Sequence, residues 1–197
     1  MKIYPMKYND FIKNTLDESA EVKQAIAAQC SEMIERAGLL LSETFRNGGK
    51  VLLCGNGGSA ADSQHIATEF VVRLSAKLNR AALPAMALTT NSSTITACSN
   101  DYGFDMIFSR QIEAFGKKGD VLIGISTSGN SMNVIKAFES ARELDLRIIG
   151  LIGGSGGDMK GMAEVDIIIP HEDTARIQEG HITVGHILCE IVERELF

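Results

Sequence analysis

Apolar residues recur along the first quarter of the chain at the spacing of one helical stripe. The stripe runs from Val22 to Phe45, and the pair Gly48-Gly49 ends it. Residues three or four apart share one face of an α-helix. The pattern therefore predicts one long amphipathic helix from Glu21 to Phe45, with more apolar surface than one small sheet needs and enough to pack between subunits.

Short aliphatic segments alternate with helical patterns through the rest of the chain. The predicted strands are Val51 to Cys54, Ala85 to Thr89, Val121 to Ile125, Arg147 to Ile152 and Val165 to Ile169. The predicted helices are Ala60 to Leu74, Phe104 to Phe115, Met132 to Leu144, Met159 to Ala163 and Thr174 to Glu195. This alternation favours an α/β fold, a three-layer, doubly wound, five-stranded parallel sheet. Ligands bind such sheets beyond the carboxyl ends of the strands.

Composition narrows the range of partners. The 197 residues are 45% hydrophobic and 22% charged, which suits one globular domain. A net charge of −6 argues against nucleic acid and anionic membranes as partners. The four cysteines form no CxxC pair, so we expect reduced, buried thiols. The start of the chain has no apolar signal core and no apolar stretch is long enough to span a bilayer, so we expect a cytoplasmic protein.

A glycine-rich turn follows the first predicted strand. It reads Gly55-Asn56-Gly57-Gly58-Ser59 and leads into a helical pattern. The glycines let the backbone approach an anion at a helix N-terminus. A tight turn with Ser59 as the helix N-cap explains the same residues equally well. The spacing fits neither the dinucleotide fingerprint nor the nucleoside triphosphate loop, so we expect no nucleotide.

Four hydroxyl side chains follow the third predicted strand, in the sequence STSGNS from Ser126 to Ser131. Hydroxyl and amide donors, together with the positive end of a helix, can surround a phosphate without lysine or arginine. A polar loop in which Asn130 or Ser131 caps the next helix is the alternative, but a cap needs fewer hydroxyls. We therefore predict a phosphate site in this loop.

Four segments together resemble the phosphoheptose isomerases of the sugar isomerase (SIS) domain superfamily. They read GNGGSAADSQHIATEF, NDYGF, DVLIGISTSGNS and TARIQEGHITVGH, and the resemblance covers nearly the whole chain. It implies a single SIS domain over residues 1–197 with a flavodoxin-like sheet, in which residues 1–48 form a helical extension packing on the core and on partner subunits. It also implies a homotetramer that converts D-sedoheptulose 7-phosphate to D-glycero-D-manno-heptose 7-phosphate and supplies heptose for cell-surface glycans such as lipopolysaccharide.

The resemblance further implies which residues form the site. The substrate would contact Asn56, Gly57, Gly58, Ser59, Glu69, Asn100, Asp101, Ser126, Thr127, Ser128, Ser131 and Gln178. One Zn²⁺ per subunit would be held by His65, Glu69, Gln178 and His186, a nitrogen and oxygen set that suits this metal.

The acid-base residues lie on two predicted helices. His65 and Glu69 are four residues apart and share one helix face. An isolated pair of this kind is usually a solvated polar face, but this helix starts at the carboxyl edge of the sheet, where a titratable pair can reach the predicted site. On the last helix, His181 matches no catalytic position of the family, and we interpret it as a buried histidine with satisfied polar groups.

Helical geometry limits how Gln178 and His186 can share a metal. Eight residues of continuous helix correspond to about 12 Å of rise and roughly 80° of rotation, so one ion bridges them poorly. Either the helix begins after Gln178, or the side chains lean towards each other, or the same residues of a neighbouring subunit complete the site. We favour the site shared between subunits.

Aldose-ketose isomerisation moves a proton between adjacent carbons through an enediol. It needs a base at the carbon and a proton carrier at the oxygens. We assign the first role to Glu69 and the second to His186, with Gln178 orienting the sugar. Zn²⁺ would polarise the carbonyl, but a glutamate bound to the metal is a weaker base, so the two roles of Glu69 compete.

Two departures from the family pattern bear on sugar selectivity. Asn91 stands where many relatives have aspartate, and Ser99 stands where glycine is common. Two other functions remain open: a non-catalytic SIS adaptor or regulator that binds a phosphosugar, and an isomerase of another phosphosugar. The presence of Glu69 and His186 argues against the first, and a panel of substrates would separate the second.

Overall fold

The computed structural model describes residues 7–197 and contains one parallel sheet. The strands are β1 (Val51–Gly55), β2 (Ala85–Ala87), β3 (Val121–Ser126), β4 (Arg147–Gly153) and β5 (Val165–Ile169). They pair in the order β2-β1-β3-β4-β5, and every pair is parallel. The predicted five-stranded, doubly wound parallel sheet is therefore confirmed.

Helices cover both faces of the sheet. They are α1 (Asn9–Gln29), α2 (Ser31–Arg46), α3 (Gly58–Val71), α4 (Ser92–Asp101), α5 (Ser109–Phe115), α6 (Met132–Glu143) and α7 (Thr174–Leu196). Side chains of α1, α2, α3 and α7 pack with one face of the strands into one core. The other core contains side chains of α5 and α6 and the opposite face. The strands are buried on both faces because successive side chains point to opposite sides.

The N-terminal region differs from the predicted single helix over Glu21 to Phe45. The helical region begins earlier, at Asn9, and it breaks at Cys30 into α1 and α2. The Cys30 thiol donates to the carbonyl of Ile168 on β5 at 3.3 Å, which holds the break against the sheet. Residues 1–6 of the predicted extension lie outside the described residues. The predicted apolar stripe is therefore divided between two helices.

The first half of α1 carries apolar side chains on its surface. Tyr8, Phe11, Ile12 and Leu16 are all more than half exposed, and their spacing places them on one side of the helix. Farther along, Val22 and Ile26 are buried in the core. The start of α1 thus presents an apolar stripe that the sheet of its own chain does not cover.

Two other helix predictions also differ from the structure. The predicted helix Met159 to Ala163 is only a 3-10 turn, Gly157–Met159, which the amide of Met159 ties to the Gly129 carbonyl. The predicted helix Phe104 to Phe115 is divided into the 3-10 turn Phe104–Met106 and α5. Helix α4 was not predicted, because its sequence SSTITACSND has too few apolar residues to form a stripe.

All four cysteines are buried and unpaired, as predicted. Burial raises the pKa of the Cys54 and Cys189 thiols, which disfavours the reactive thiolate. No helix within residues 7–197 has the length and apolar character needed to cross a membrane.

Candidate active site

The strand order creates a switch point between β1 and β3. From β1 the chain moves outward to β2, then returns to the other side of β1 to form β3 and continues to β4. At such a point the loops after the two central strands diverge and leave a crevice. Here those loops are the predicted glycine turn and the predicted phosphate loop, so the topology places both at one crevice.

The glycine turn begins α3 without a side-chain cap. The helix starts at Gly58 with Gly57 at the N-cap position, where φ is +54°. Glycine adopts this left-handed conformation at low cost. Ser59 is buried inside the first helical turn, so the alternative in which Ser59 is the N-cap is wrong.

Asn56 is fixed by a side chain from the phosphate-loop helix. Its Nδ2 donates to Asn133 Oδ1 at 2.8 Å, and Asn133 Nδ2 donates back to Asn56 Oδ1 at 2.8 Å. Asn133 is buried in the first turn of α6. This reciprocal pair joins the glycine turn to the phosphate loop. Sequence reasoning missed Asn133 because its partner is distant in the chain.

The phosphate loop is organised by its own hydroxyls. Ser126 Oγ lies 2.8 Å from Ser131 Oγ and accepts from the Gly129 amide at 3.1 Å. Gly129 has φ of +69°, and a Cβ at this position would collide with the Gly156 carbonyl. Ser131 occupies the N-cap position of α6 without capping it, and Asn130 instead accepts from the Asp158 amide. Neither cap of the alternative interpretation is therefore made.

Side chains of the described residues cap α4 and α7, but not α3 and α6, which start at the crevice. Asn91 caps α4 by accepting from the Thr94 amide at 3.0 Å, and Asp173 caps α7 by accepting from two amides. In the described chain no side chain caps α3 or α6. Free amides at a helix N-terminus favour an anion. The two helices that start at the crevice thus retain amide donors for a ligand.

His65 and Glu69 of α3 meet His186 of α7 within one chain. His65 Nε2 lies 3.1 Å from Glu69 Oε1 and 3.3 Å from His186 Nε2. The Glu69 side chain is 18% exposed and that of His65 is 47% exposed, so the carboxylate lies deeper. These three residues are called the acid-base cluster below. No second subunit is needed to bring them together.

A glycine allows the two helices to approach. A Cβ built on Gly185 would lie 2.6 Å from the Ile66 side chain, so a larger residue would push α7 away from α3. Gly185 and Ile66 directly neighbour His186 and His65 in sequence. The close approach of the helices therefore places the two imidazoles in contact.

Gln178 lies at the other end of the same helix pair. Because α7 begins at Thr174, Gln178 and His186 are on one continuous helix, and the explanation that the helix begins after Gln178 is wrong. A Cβ on Gly58 would lie 2.5 Å from Gln178 Nε2. Helices α3 and α7 run parallel, with Gln178 beside the glycine turn and His186 beside His65.

Asn100 and Asp101 are exposed at the end of α4. Asn100 Nδ2 donates to Asp101 Oδ1 at 2.8 Å. Within residues 7–197, no hydrogen bond joins either side chain to the other predicted site residues. The Asn91 departure has a structural explanation, since asparagine and aspartate are equally good N-caps.

His181 faces the core rather than the cluster. It is fully buried, as predicted, but neither ring nitrogen makes a hydrogen bond of normal geometry with a described residue. The expected burial is therefore confirmed, whereas the expected pairing of the ring nitrogens is not. Burial lowers the pKa of His181 to about 4, and the backbone of Ile152 opposes this only in part.

The acid-base cluster has the donor set of a metal site. One ligand atom from each of its three residues lies within 4.8 Å of the others. Two imidazole nitrogens and one carboxylate oxygen form a common zinc set that leaves a position for a further ligand. The residues present therefore fit Zn²⁺.

Comparison with known proteins identifies the class to which this fold and site belong. The family model described as "SIS domain" matches residues 15–153. The chain therefore contains the sugar isomerase domain that the motifs had indicated.

Similar proteins narrow the class further. Phosphoheptose isomerase of Clostridium acetobutylicum is 52% identical over 190 residues, covering 95% of this chain and 96% of the relative. That of Geobacter sp. strain M21 is 54% identical over 186 residues, covering 94% and 96%. The structure of phosphoheptose isomerase from Neisseria gonorrhoeae matches with a TM-score of 0.89 at 43% identity, covering 95% of this chain and 100% of the other. The chain belongs to the phosphoheptose isomerase family, which confirms the expected isomerase class.

Proposed function

We propose that the chain converts D-sedoheptulose 7-phosphate to D-glycero-D-manno-heptose 7-phosphate through an enediol. The observations that carry the proposal are two uncapped helix N-termini at one switch point and the acid-base cluster, which lies farther along one of these helices, α3, and on α7. The first can hold a phosphoryl group, and the second can move protons at the other end of the sugar. The name shared by the relatives supports a heptose phosphate as substrate.

The phosphoryl group would bind to the loop from Ser126 to Ser131. Its hydroxyls and the free amides of α6 are donors that need no lysine or arginine. Asn56, held by Asn133, and the amides of Gly57, Gly58 and Ser59 would contact the sugar from the other loop. Asn100 and Asp101 would also contact the sugar, as the resemblance implies.

Glu69 would be the base at the carbons. It takes a proton from C1 of the ketose and returns it to C2 of the aldose, and the half-buried side chain limits exchange with water. His186 would carry protons between the two oxygens, since imidazole can both donate and accept. His65 fixes the Glu69 carboxylate through the 3.1 Å contact. Gln178 would orient the sugar.

We propose one Zn²⁺ per subunit, held by His65, Glu69 and His186 with Gln178 as the fourth ligand. When bound, it would supply Lewis-acid polarisation of the substrate carbonyl. Glu69 would then have two roles, because a carboxylate bound to a cation is a weaker base. Activity with and without a chelator measures which role dominates.

We propose a cytoplasmic homotetramer of single SIS domains, residues 1–197, that supplies heptose for cell-surface glycans such as lipopolysaccharide. The apolar stripe at the start of α1 supports contact with another copy. We also propose that Gln178 completes the metal site of a neighbouring subunit, because His186 of its own chain is two turns away. The net charge of −6 gives no support for a nucleic-acid partner.

Mixed oligomers test the shared site. Mixing Gln178→Ala with His186→Ala should restore part of the activity, because one subunit keeps the acid-base cluster and the other keeps Gln178. Mixing Glu69→Gln with His186→Ala should restore none, because those residues meet within one chain. Mixed oligomers of the first kind that form and remain inactive would show that the site is not shared.

The direct test is incubation of the purified chain with sedoheptulose 7-phosphate, with and without chelator, while aldose formation is followed. Pentose and hexose phosphates form the comparison panel. We expect conversion of the heptulose phosphate at the highest kcat/KM. Binding without conversion would indicate an adaptor or regulator, and faster conversion of another sugar would reassign the substrate.

A further inference from the structure

A buried ion pair joins the loop after α3 to α7. Arg80 Nε donates to Glu193 Oε1 at 2.8 Å, and the two side chains are 0% and 8% exposed. Burying two charges is costly unless the remaining hydrogen-bonding groups are also satisfied. None of the family motifs contains Arg80 or Glu193. The pair connects the C-terminal end of α3 to α7.

The other donors of Arg80 point at the end of α3. Nη2 donates to the Glu69 carbonyl at 2.6 Å, and Nη1 donates to the Phe70 carbonyl at 2.9 Å. Carbonyls in the last turn of a helix lack partners within the helix, and a positive charge is favourable there. Arg80 therefore caps α3 at the residue whose side chain is the proposed base.

Glu193 lies on the same face of α7 as His186. The two are seven residues apart, which is two turns and about 10 Å of rise. Glu193 Oε1 also accepts from the Leu74 amide at 3.2 Å, just beyond the end of α3. One carboxylate of α7 thus binds both the cap of α3 and the backbone that follows it.

Residues 74–78, which follow α3, do not pack fully against α7. An open groove of about 700 Å³ lies on the surface between residues 74–78 and the last turns of α7, and Glu193 forms part of its wall. Phe197 covers the Arg80 guanidinium with its ring centroid 5.8 Å away. The Arg80 and Glu193 pair therefore adds polar contacts to the apolar packing of Phe70 at the end of α3 against the core that includes Val192 of α7.

We propose that Arg80 and Glu193 are positioning residues that fix Glu69 relative to His186. The pair fixes the axial position of α3 relative to α7. On α7, Glu193 lies two turns beyond His186. Proton transfer depends steeply on placement, and a shift of about 1 Å can reduce the rate about a hundredfold. The inference rests on the proposed roles of Glu69 and His186 and adds two residues that touch neither substrate nor reacting atoms.

The test is steady-state kinetics of Arg80→Gln and Glu193→Gln. We expect kcat to fall about 10- to 100-fold while KM changes less than threefold, because the phosphate loop is untouched. Arg80→Lys, which keeps the charge but loses the planar fork, should recover only part of kcat. The double variant should lose no more than the worse single variant, since the two act as one unit.

Arg147→Gln is the matched control. Arg147, the first residue of β4, pairs with Glu43 and Glu164 and contacts no residue of the acid-base cluster, so its loss should lower Tm and leave kcat within twofold of wild type. If the Arg80 and Glu193 variants behave like this control, their role is structural and the inference is wrong. Should Arg80→Gln fail to fold, Arg80→Lys decides: wild-type kcat overturns the inference. Turnover by Glu69→Gln would instead overturn the proposed base.

Discussion

The phosphate loop and the acid-base cluster are built in different ways. The loop is six consecutive residues that bond mainly to one another, with Ser126 joined to Ser131 and to the Gly129 amide. The cluster brings His65 and His186, separated by 121 residues, into contact. One region is local and uses backbone dipoles, whereas the other is non-local and uses titratable side chains.

This difference predicts different sensitivities. A local loop keeps its shape when a distant helix shifts, so damage to it should weaken substrate binding. The cluster depends on how α3 and α7 lie together, on Gly185, and on the Arg80 and Glu193 pair. Damage there should reduce kcat with little effect on KM. The variants below test this division from the largest expected effect to the smallest.

Glu69→Gln should have the largest effect. The amide keeps the size of the side chain but cannot take a proton from carbon, so kcat should fall by at least about 100-fold, within the range for lost acid-base catalysis. Substrate affinity, measured by calorimetry, should change less than about threefold. Glu190→Gln, on the exposed face of α7, is the control and should behave as wild type. A kcat near normal in Glu69→Gln would remove it as the base.

His186→Ala should cost tens of fold in kcat. It removes the proposed proton carrier at the oxygens but leaves Glu69 and its contact with His65. Initial rates with the heptulose phosphate measure the effect. A rise in KM with unchanged kcat would move His186 from the chemical step to binding and would break the division between the two regions.

Ser131→Ala should raise KM about three- to tenfold and leave kcat within twofold. It removes a hydroxyl that bonds Ser126 and that would donate to the phosphoryl group, and one such bond contributes about 1 kcal/mol. Thr96→Ala is the matched control, since that hydroxyl bonds only within α4. A fall in kcat at unchanged KM would show that the loop acts on the chemical step.

His181→Gln should change the pH dependence of stability more than activity. The folded pKa of about 4 lies below the ordinary 6.5, so between these values the unfolded state binds a proton that the native state does not. The neutral His181 ring makes its full contribution to the free energy of unfolding above about pH 6.5. This free energy falls by about 3 kcal/mol as the pH is lowered towards 4. Urea unfolding at pH 7 and pH 4.5 should show a smaller fall in the variant. Equal falls would contradict the burial of a neutral imidazole.

The sequence predicted the sheet because its buried strands are short, uninterrupted aliphatic runs separated by turns. Prediction from the sequence failed where the apolar pattern was weak or where the structure depends on residues far apart in the chain. Helix α4 lacks an apolar stripe, and the break at Cys30 depends on a contact with Ile168 far along the chain. The alternative interpretation of the two loops as helix caps is wrong, because the amides at the crevice are left free instead.

The site was predicted unevenly for the same reason. Motifs indicated the residues of the loop and the cluster, yet no local pattern marks the partners that hold them. Asn133 bonds Asn56 across 77 residues and Glu193 bonds Arg80 across 113. Long-range hydrogen bonds of this kind follow from the packing of elements, which becomes visible only with the fold.

Isomerisation in D₂O tests the central claim that one phosphosugar spans the two regions and that Glu69 carries its proton from C1 to C2. Nuclear magnetic resonance of the aldose formed from sedoheptulose 7-phosphate should show deuterium at C2, because a protonated carboxylate exchanges in part with solvent. Glu69→Gln should form no labelled aldose. Labelled aldose formed by Glu69→Gln at the wild-type rate would contradict the account, because another group would then carry the proton.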